Sequence, residues 1–230
     1  MSPAGPLPRG SHRSPQGEGT PETPAGPLPR GSHRSLQGEG TPVSMDRLIV
    51  TDTPLAGVKL VHRQPVGDAR GSLSRLFCAR ELAGAGWTQP IAQVNHTWTQ
   101  RRGTVRGLHY QRAPDAEMKL VCCLRGEVWD VVVDLRSGSP TYLRWHAQHL
   151  SADNQDAMLI PQGCAHGFQS LADDAELLYC HSAHYAPEAD AGLHPLDARL
   201  AIPWPLPVTL LSQRDANHPS LDPGFEGVRP

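Results

Sequence analysis

From Met45 to about residue 181 the apolar positions fall in short runs, each closed by a turn signal. The runs lie near residues 57–62, 72–77, 91–97, 104–110, 118–124, 126–135, 143–149, 157–160, 166–170 and 175–181. Leu143, Trp145, Ala147 and His149 alternate with Arg144, His146, Gln148 and Leu150, the period-two pattern of a strand. Gly126 after Arg125 predicts a hairpin turn, and Pro140 and Pro161-Gln162-Gly163 mark later breaks. Ala79–Ala85 is the one clear helical stretch before the C-terminal third. Many short strands with little helix predict an all-β sandwich, jelly roll or barrel, with ligands in the barrel mouth.

The first 44 residues break this pattern. Residues 3–21 read PAGPLPRGSHRSPQGEGTP, and residues 24–42 repeat them with one difference, Pro15 against Leu36. Two copies with almost no apolar side chains cannot stack as a solenoid or offset the entropy of folding. A disordered Pro/Gly-rich tail is expected over 1–44. Met45 is then the natural start of one folded domain, residues 45–230.

Composition narrows the setting. The 230 residues include 22 glycines and 23 prolines, and the formal net charge is −2. That balance points to neither nucleic acid nor an anionic membrane. Five cysteines without a regular framework argue against a disulfide-stapled secreted domain. No apolar run spans a bilayer and no signal peptide is visible, so a cytoplasmic protein is expected.

Several polar residues stand in apolar surroundings. In Arg106-Gly107-Leu108-His109-Tyr110-Gln111, strict alternation puts Arg106, Leu108 and Tyr110 on one face, and Gly107, His109 and Gln111 on the other. His109 is a candidate base beside a glycine that leaves room, or a hydrogen-bonded core histidine. Lys119 in Met118-Lys119-Leu120-Val121 is a partner for a developing oxyanion or a lysine guarding a sheet edge. Asp130 and Asp134 share a face of an apolar strand and need partners, for which Lys119, Arg106 and His109 are available. Pro161-Gln162-Gly163-Cys164-Ala165-His166 has the P-x-G-x-x-H spacing of a cupin motif. The chain has no H-x-H, so His166 is read as an organic-ligand contact or a structural histidine, not a metal ligand. Tyr179 is a candidate acid, stacking surface or core residue. Ser212-Gln213-Arg214-Asp215 reads as a helix start capped by Ser212.

Together these segments resemble the dTDP-4-dehydrorhamnose 3,5-epimerase family. The resemblance runs from Asp68-Ala69-Arg70-Gly71 to Asp215. It rests on Gln93-Val94-Asn95, RGLHYQ at 106–111, Lys119, GEVWDVVVDLR at 126–136, SPT at 139–141, LSADN at 150–154, IPQGCAHGF at 160–168, LLY at 177–179 and Ile202-Pro203-Trp204-Pro205. It implies a cupin-type double-sheet jelly-roll barrel, a homodimer exchanging N-terminal strands, and no metal or other cofactor. The implied substrate is a nucleotide-linked 4-keto-6-deoxy sugar, epimerised at C3 and C5 by removal and return of a proton. The resemblance further implies His109 as base, Asp215 as its orienting partner, Lys119 at the enolate oxygen and Tyr179 as the opposing acid. Arg70 from the neighbouring subunit, Gln93, Asn95, Arg106, His166 and Asp190 are the implied substrate contacts.

The chain departs from the family pattern in three places. Arg75 stands where an acid usually follows the Arg-Gly pair, His184 where an aromatic ring is common, and Asp190 where Glu is common. These positions belong to the nucleotide end of the implied site. A C3-only epimerase, an epimerase of another nucleotide sugar and a non-catalytic sugar-binding cupin are the alternatives.

Overall fold

The computed structural model describes residues 46–230; the tandem repeat lies outside the described residues. The chain forms β1 (Leu48–Asp52), β2 (Lys59–Arg63), β3 (Val66–Asp68), β4 (Gly71–Leu73), α1 (Ala79–Ala83), β5 (Gln93–Thr99), β6 (Val105–Gln111) and β7 (Lys119–Arg125). It continues through β8 (Glu127–Asp134), β9 (Trp145–Ser151), β10 (Asp156–Ile160), β11 (Cys164–Ser170), β12 (Ala175–His181), β13 (Asp190–Gly192) and α2 (Gln213–Ala216). A six-stranded sheet in the order β1-β2-β10-β7-β12-β5 faces a five-stranded sheet in the order β13-β6-β11-β8-β9, and β3 and β4 form a separate hairpin. All pairings within them are antiparallel, giving the cupin-type jelly roll.

Three apolar layers hold the sheets. Val121, Cys123, Val128, Val132, Met158, Phe168 and Leu177 fill the space between them. Leu82 of α1 and Trp87 cover the outer face of the six-stranded sheet over Val61, Leu120 and Leu159. Leu193, Leu200, Ile202 and Leu221, from the segment after β13, cover the outer face of the five-stranded sheet over Leu108, Val131 and Val133. Central strands are therefore buried on both faces. That is why β7 and β8 read as near-continuous apolar runs instead of alternating ones.

The structure corrects several sequence expectations. Gly126 (φ 69°) joins β7 to β8, but these strands lie in different sheets, so it marks a crossing between layers and not a hairpin. Leu143 has φ 58° and ends the preceding turn, so β9 begins only at Trp145. β1 and the three-residue β3 and β13 escaped the pattern because they are too short or too exposed to alternate visibly. Lys119 does not guard an edge: β7 lies between β10 and β12. Asp130 is met by His166, not by Lys119, Arg106 or His109. Asp134 is held by Arg136, Ser139 and Thr141. Burial would push the Asp134 carboxyl up, but those hydrogen bonds outweigh it and hold the carboxyl down at about 2.

Candidate active site

One end of the barrel opens into a cavity of about 510 Å³ between the sheets. The five-stranded sheet contributes Arg106, His109 and Gln111 from β6, His166 and Phe168 from β11, and Asp190 from β13. The opposite wall is Gln93, Asn95 and Thr97 from β5, Lys119 from β7, and Tyr179 and His181 from β12. Tyr185, Arg214 and Asp215 also line it.

Arg106 and His109 face the same cavity although strict alternation separates them. The register between β6 and β11 explains this. His109 pairs with His166 and Arg106 with Phe168, so three steps along β6 oppose two along β11. The extra residue is a β-bulge, which flips the side-chain parity beyond it. Glycine is required there: Gly107 has φ +118°, and a Cβ on it would lie 2.5 Å from Gly167 Cα.

His109 Nε2 lies 2.8 Å from Asp215 Oδ1, and the Gly107 N–H donates to Asp215 Oδ2 at 3.1 Å. Asp215 sits in α2, where the expected cap is present: its N–H donates to Ser212 Oγ at 3.0 Å. Burial alone would push the Asp215 carboxyl up. The hydrogen bond and charge of His109, then Gly107 N–H and Ser212, outweigh burial and hold it below its ordinary value. A carboxylate accepts only, so Nε2 of His109 is the donor, and in the neutral imidazole Nδ1 carries the lone pair.

Lys119 Nζ donates to the His109 carbonyl oxygen at 3.1 Å and pairs with Glu117 Oε1 at 3.1 Å. Glu117 Oε2 is 3.3 Å from His181 Nδ1. Burial opposes the Glu117 charge, but His181 and Lys119 overcome it and lower its pKa. Tyr179 stacks on His181, with centroids 5.9 Å apart, and meets His166 edge-on at 5.9 Å. Burial, reinforced by the Asp130 charge, pushes the Tyr179 hydroxyl well above its ordinary value, so it stays protonated. His166 Nε2 lies 2.7 Å from Asp130 Oδ1.

The remaining expected residues divide. Gln93 donates to Asn95 Oδ1 at 3.0 Å and accepts from Tyr185 N at 3.1 Å. Arg106 is steadied by Thr99 Oγ1 at 3.1 Å. Asp190 pairs with Arg214 at the cavity rim. Arg70 is not brought to this cavity: it lies in the β3–β4 hairpin, its side chain is 89% exposed, and it pairs with Asp68. Arg75 pairs with Glu81, away from the lining. Tyr185 lines the cavity, while His184 offers its carbonyl to Gln111. Glu117, His181 and Arg214 were not legible as site residues. Glu117 and His181 lie two positions from Lys119 and Tyr179, and same-face spacing on a strand was the signal available for them.

Residues 52–223 match the family model described as dTDP-4-dehydrorhamnose 3,5-epimerase. The chain belongs to the dTDP-4-dehydrorhamnose 3,5-epimerase family. A Streptomyces griseus dTDP-4-dehydrorhamnose 3,5-epimerase is 41% identical over 72% of this chain and 82% of its own length. A dTDP-4-dehydrorhamnose 3-epimerase of Streptomyces niveus is 47% identical over 70% of this chain and 78% of its own. The crystal structure of a Legionella pneumophila family member in complex with dTDP-4-keto-L-rhamnose superposes with a TM-score of 0.73 at 36% identity, covering 80% of this chain and 99% of that one. Family membership accounts for the cupin-type barrel and marks the chain as an isomerase.

Proposed function

We propose that this chain converts dTDP-4-dehydro-6-deoxyglucose to dTDP-4-dehydrorhamnose by inverting C3 and C5. The observation that carries the reading is the His109–Asp215 pair on one wall of the cavity and a protonated tyrosine, Tyr179, on the other. The C4 ketone acidifies both neighbouring C–H bonds. His109 Nδ1 takes the proton, and the C–H electron pair moves into the enolate, whose oxygen lies against Lys119. Tyr179 delivers a proton to the opposite face. His109 and Tyr179 then regain their starting states through solvent. Gln93, Asn95, Arg106, His166 and Asp190 contact the nucleotide sugar.

Incubation with this substrate in deuterated water, followed by NMR at C3 and C5, tests the reading. Deuterium at both carbons with inversion is expected, and no exchange at either carbon sinks it. The 47% identity to the Streptomyces niveus 3-epimerase favours a second reading, in which only C3 inverts; the same spectrum separates the two.

The reaction has its base, oxyanion partner and acid in side chains, so treatment with a chelator is expected not to lower the rate. Residues 45–230 carry the function, and a chain starting at Met45 keeps full activity. A cytoplasmic location fits five cysteines that are all free. Among the described residues, no helix is long and apolar enough to cross a membrane.

The active form is a homodimer in which Arg70 serves the partner's cavity. Its exposed hairpin and the apolar face of edge strand β5, where Val94 is 55% and Trp98 50% exposed, support this. Mixing Arg70→Ala and His109→Asn proteins creates one site with both groups intact. Activity recovered on mixing supports the exchange, and none recovered argues against it.

A further inference from the structure

His218 has no task in the reaction above. It follows α2, and its ring lies so close under β13 that a Cβ on Gly192 would fall 2.4 Å from its Nε2. Its side chain is 13% exposed, and Nε2 is buried with no hydrogen-bond partner. The nearest carboxylate oxygen, Asp215 Oδ1, is 3.9 Å away, too far for a hydrogen bond. A buried nitrogen left in this way has lost its water without gaining a partner. Its ring meets the His109 ring edge-on, with centroids 5.5 Å apart.

The three side chains His109, Asp215 and His218 each place a ligand atom within 4.8 Å of the others. Two imidazole nitrogens and a carboxylate oxygen suit zinc or copper, which bind such atoms at about 2.0–2.2 Å. Asp215 Oδ1 lies 2.8 Å from His109 Nε2 and 3.9 Å from His218 Nε2, so one carboxylate oxygen stands between the two rings.

We propose that His109, Asp215 and His218 form an inhibitory site for a divalent transition-metal ion of the zinc and copper class. The ion sits behind the base, since His218 is not among the residues lining the cavity. The inhibition follows from proton bookkeeping on one ring. A neutral imidazole carries one N–H. When Nε2 of His109 gives its lone pair to the metal, that hydrogen must reside on Nδ1. Nδ1 is the nitrogen assigned to proton abstraction, so the bound ion turns the base into a donor. No electron is transferred and Asp215 stays a carboxylate. The metal site itself stands on geometry alone; only its effect on turnover rests on the proposed role of His109.

The test uses the full chain, stripped with a chelator and dialysed against zinc alone. Wild-type protein is expected to retain one more equivalent of zinc than His218→Ala. Cobalt in place of zinc should give a visible ligand-field band that the variant lacks. In deuterium exchange, zinc should inhibit the wild type, with chelator restoring the rate. His218→Ala should keep its basal rate and need about tenfold or more zinc for the same inhibition, as expected for loss of a ligand. Magnesium should do nothing, because it prefers an all-oxygen shell. Equal zinc stoichiometry and equal inhibition in wild type and variant would overturn the proposal, as would inhibition by magnesium at the same concentration. If His218→Ala fails to fold, His218→Gln keeps the bulk and is read the same way. The dialysis and cobalt arms report even if the protein turns over no sugar, so a failed site and a failed epimerase assignment are distinguishable.

Discussion

Two histidine–carboxylate pairs sit on neighbouring strands of the same sheet, and their surroundings differ sharply. His109 is 31% exposed at the cavity, and both oxygens of its partner Asp215 are engaged. His166 is 5% exposed, and its partner Asp130 is fully buried with Oδ2 unpaired. The strands set the pairs directly opposite each other, His109 against His166. One pair has a lone pair facing a space where a ligand can lie and an acid whose charge is stabilised from several sides. The other is set deep in the wall: only the His166 edge reaches the cavity, while buried Asp130 holds that ring and sets the field around Tyr179. Likeness of residue type therefore does not imply likeness of task; solvent access and the satisfaction of the acid decide it.

The largest effect that tests this contrast is expected from His109→Asn. Solvent exchange and inversion should both fall by about 10²–10⁴, the range for a lost general base, while thermal stability stays close to wild type. Exchange near the wild-type rate would move the base elsewhere. Tyr179→Phe comes next. Product formation should drop by about 10²–10⁴, yet deuterium should still enter the substrate, because His109 can remove a proton and return it to the face it left. Inversion at the wild-type rate would make Tyr179 a packing residue.

Asp130→Ala should reverse the pattern. Leaving His166 buried without its partner is expected to cost about 1–3 kcal/mol of stability, read by denaturant unfolding, with a smaller loss of turnover than His109→Asn. With the Asp130 charge gone, the Tyr179 hydroxyl should ionise at lower pH, which ultraviolet titration against Tyr179→Phe would detect. An unchanged titration would remove Asp130 from the account of that acid. The smallest effect concerns pH and stability. The folded-state pKa of Asp215 is depressed, so its contribution is complete above the ordinary value of 3.8 and is lost as pH falls through the folded value. The stability gap between wild type and Asp215→Asn should therefore narrow below about pH 4. A gap that widened on acidification would contradict the sign.

Much of the barrel was legible because most central strands are apolar runs bounded by turn residues, and β2, α1 and β5 to β12 overlap the runs that pattern marked. The helix cap on Asp215 was legible from Ser212 for the same local reason. Where the outcome depended on partners far away in sequence, the pattern failed. The parity of Arg106 is set by a bulge against β11, and nothing within RGLHYQ encodes it. Asp130 finds His166 only because β8 and β11 are neighbours. Asp215 reaches His109 from more than a hundred residues away, and in the sequence reading that link came from resemblance, not from spacing. His218 was passed over, since a lone histidine after a short polar helix has no periodic signal.

The extra residue in β6 has a consequence for how such a wall can change over generations. Substitution trades one side chain for another and leaves each direction intact, so the ligands facing the cavity are open to gradual replacement. Loss of one residue is another kind of event. Without Gly107 the two strands would regain one-to-one pairing, and Arg106 and His109, then two steps apart, would still face the cavity together. At the bulge the wall is thus tolerant of a lost count and intolerant of a new letter, since a Cβ on Gly107 would strike Gly167. Descendants of this chain can drift in what they bind at this strand, and a codon deletion at Gly107 would still leave Arg106 and His109 on one face.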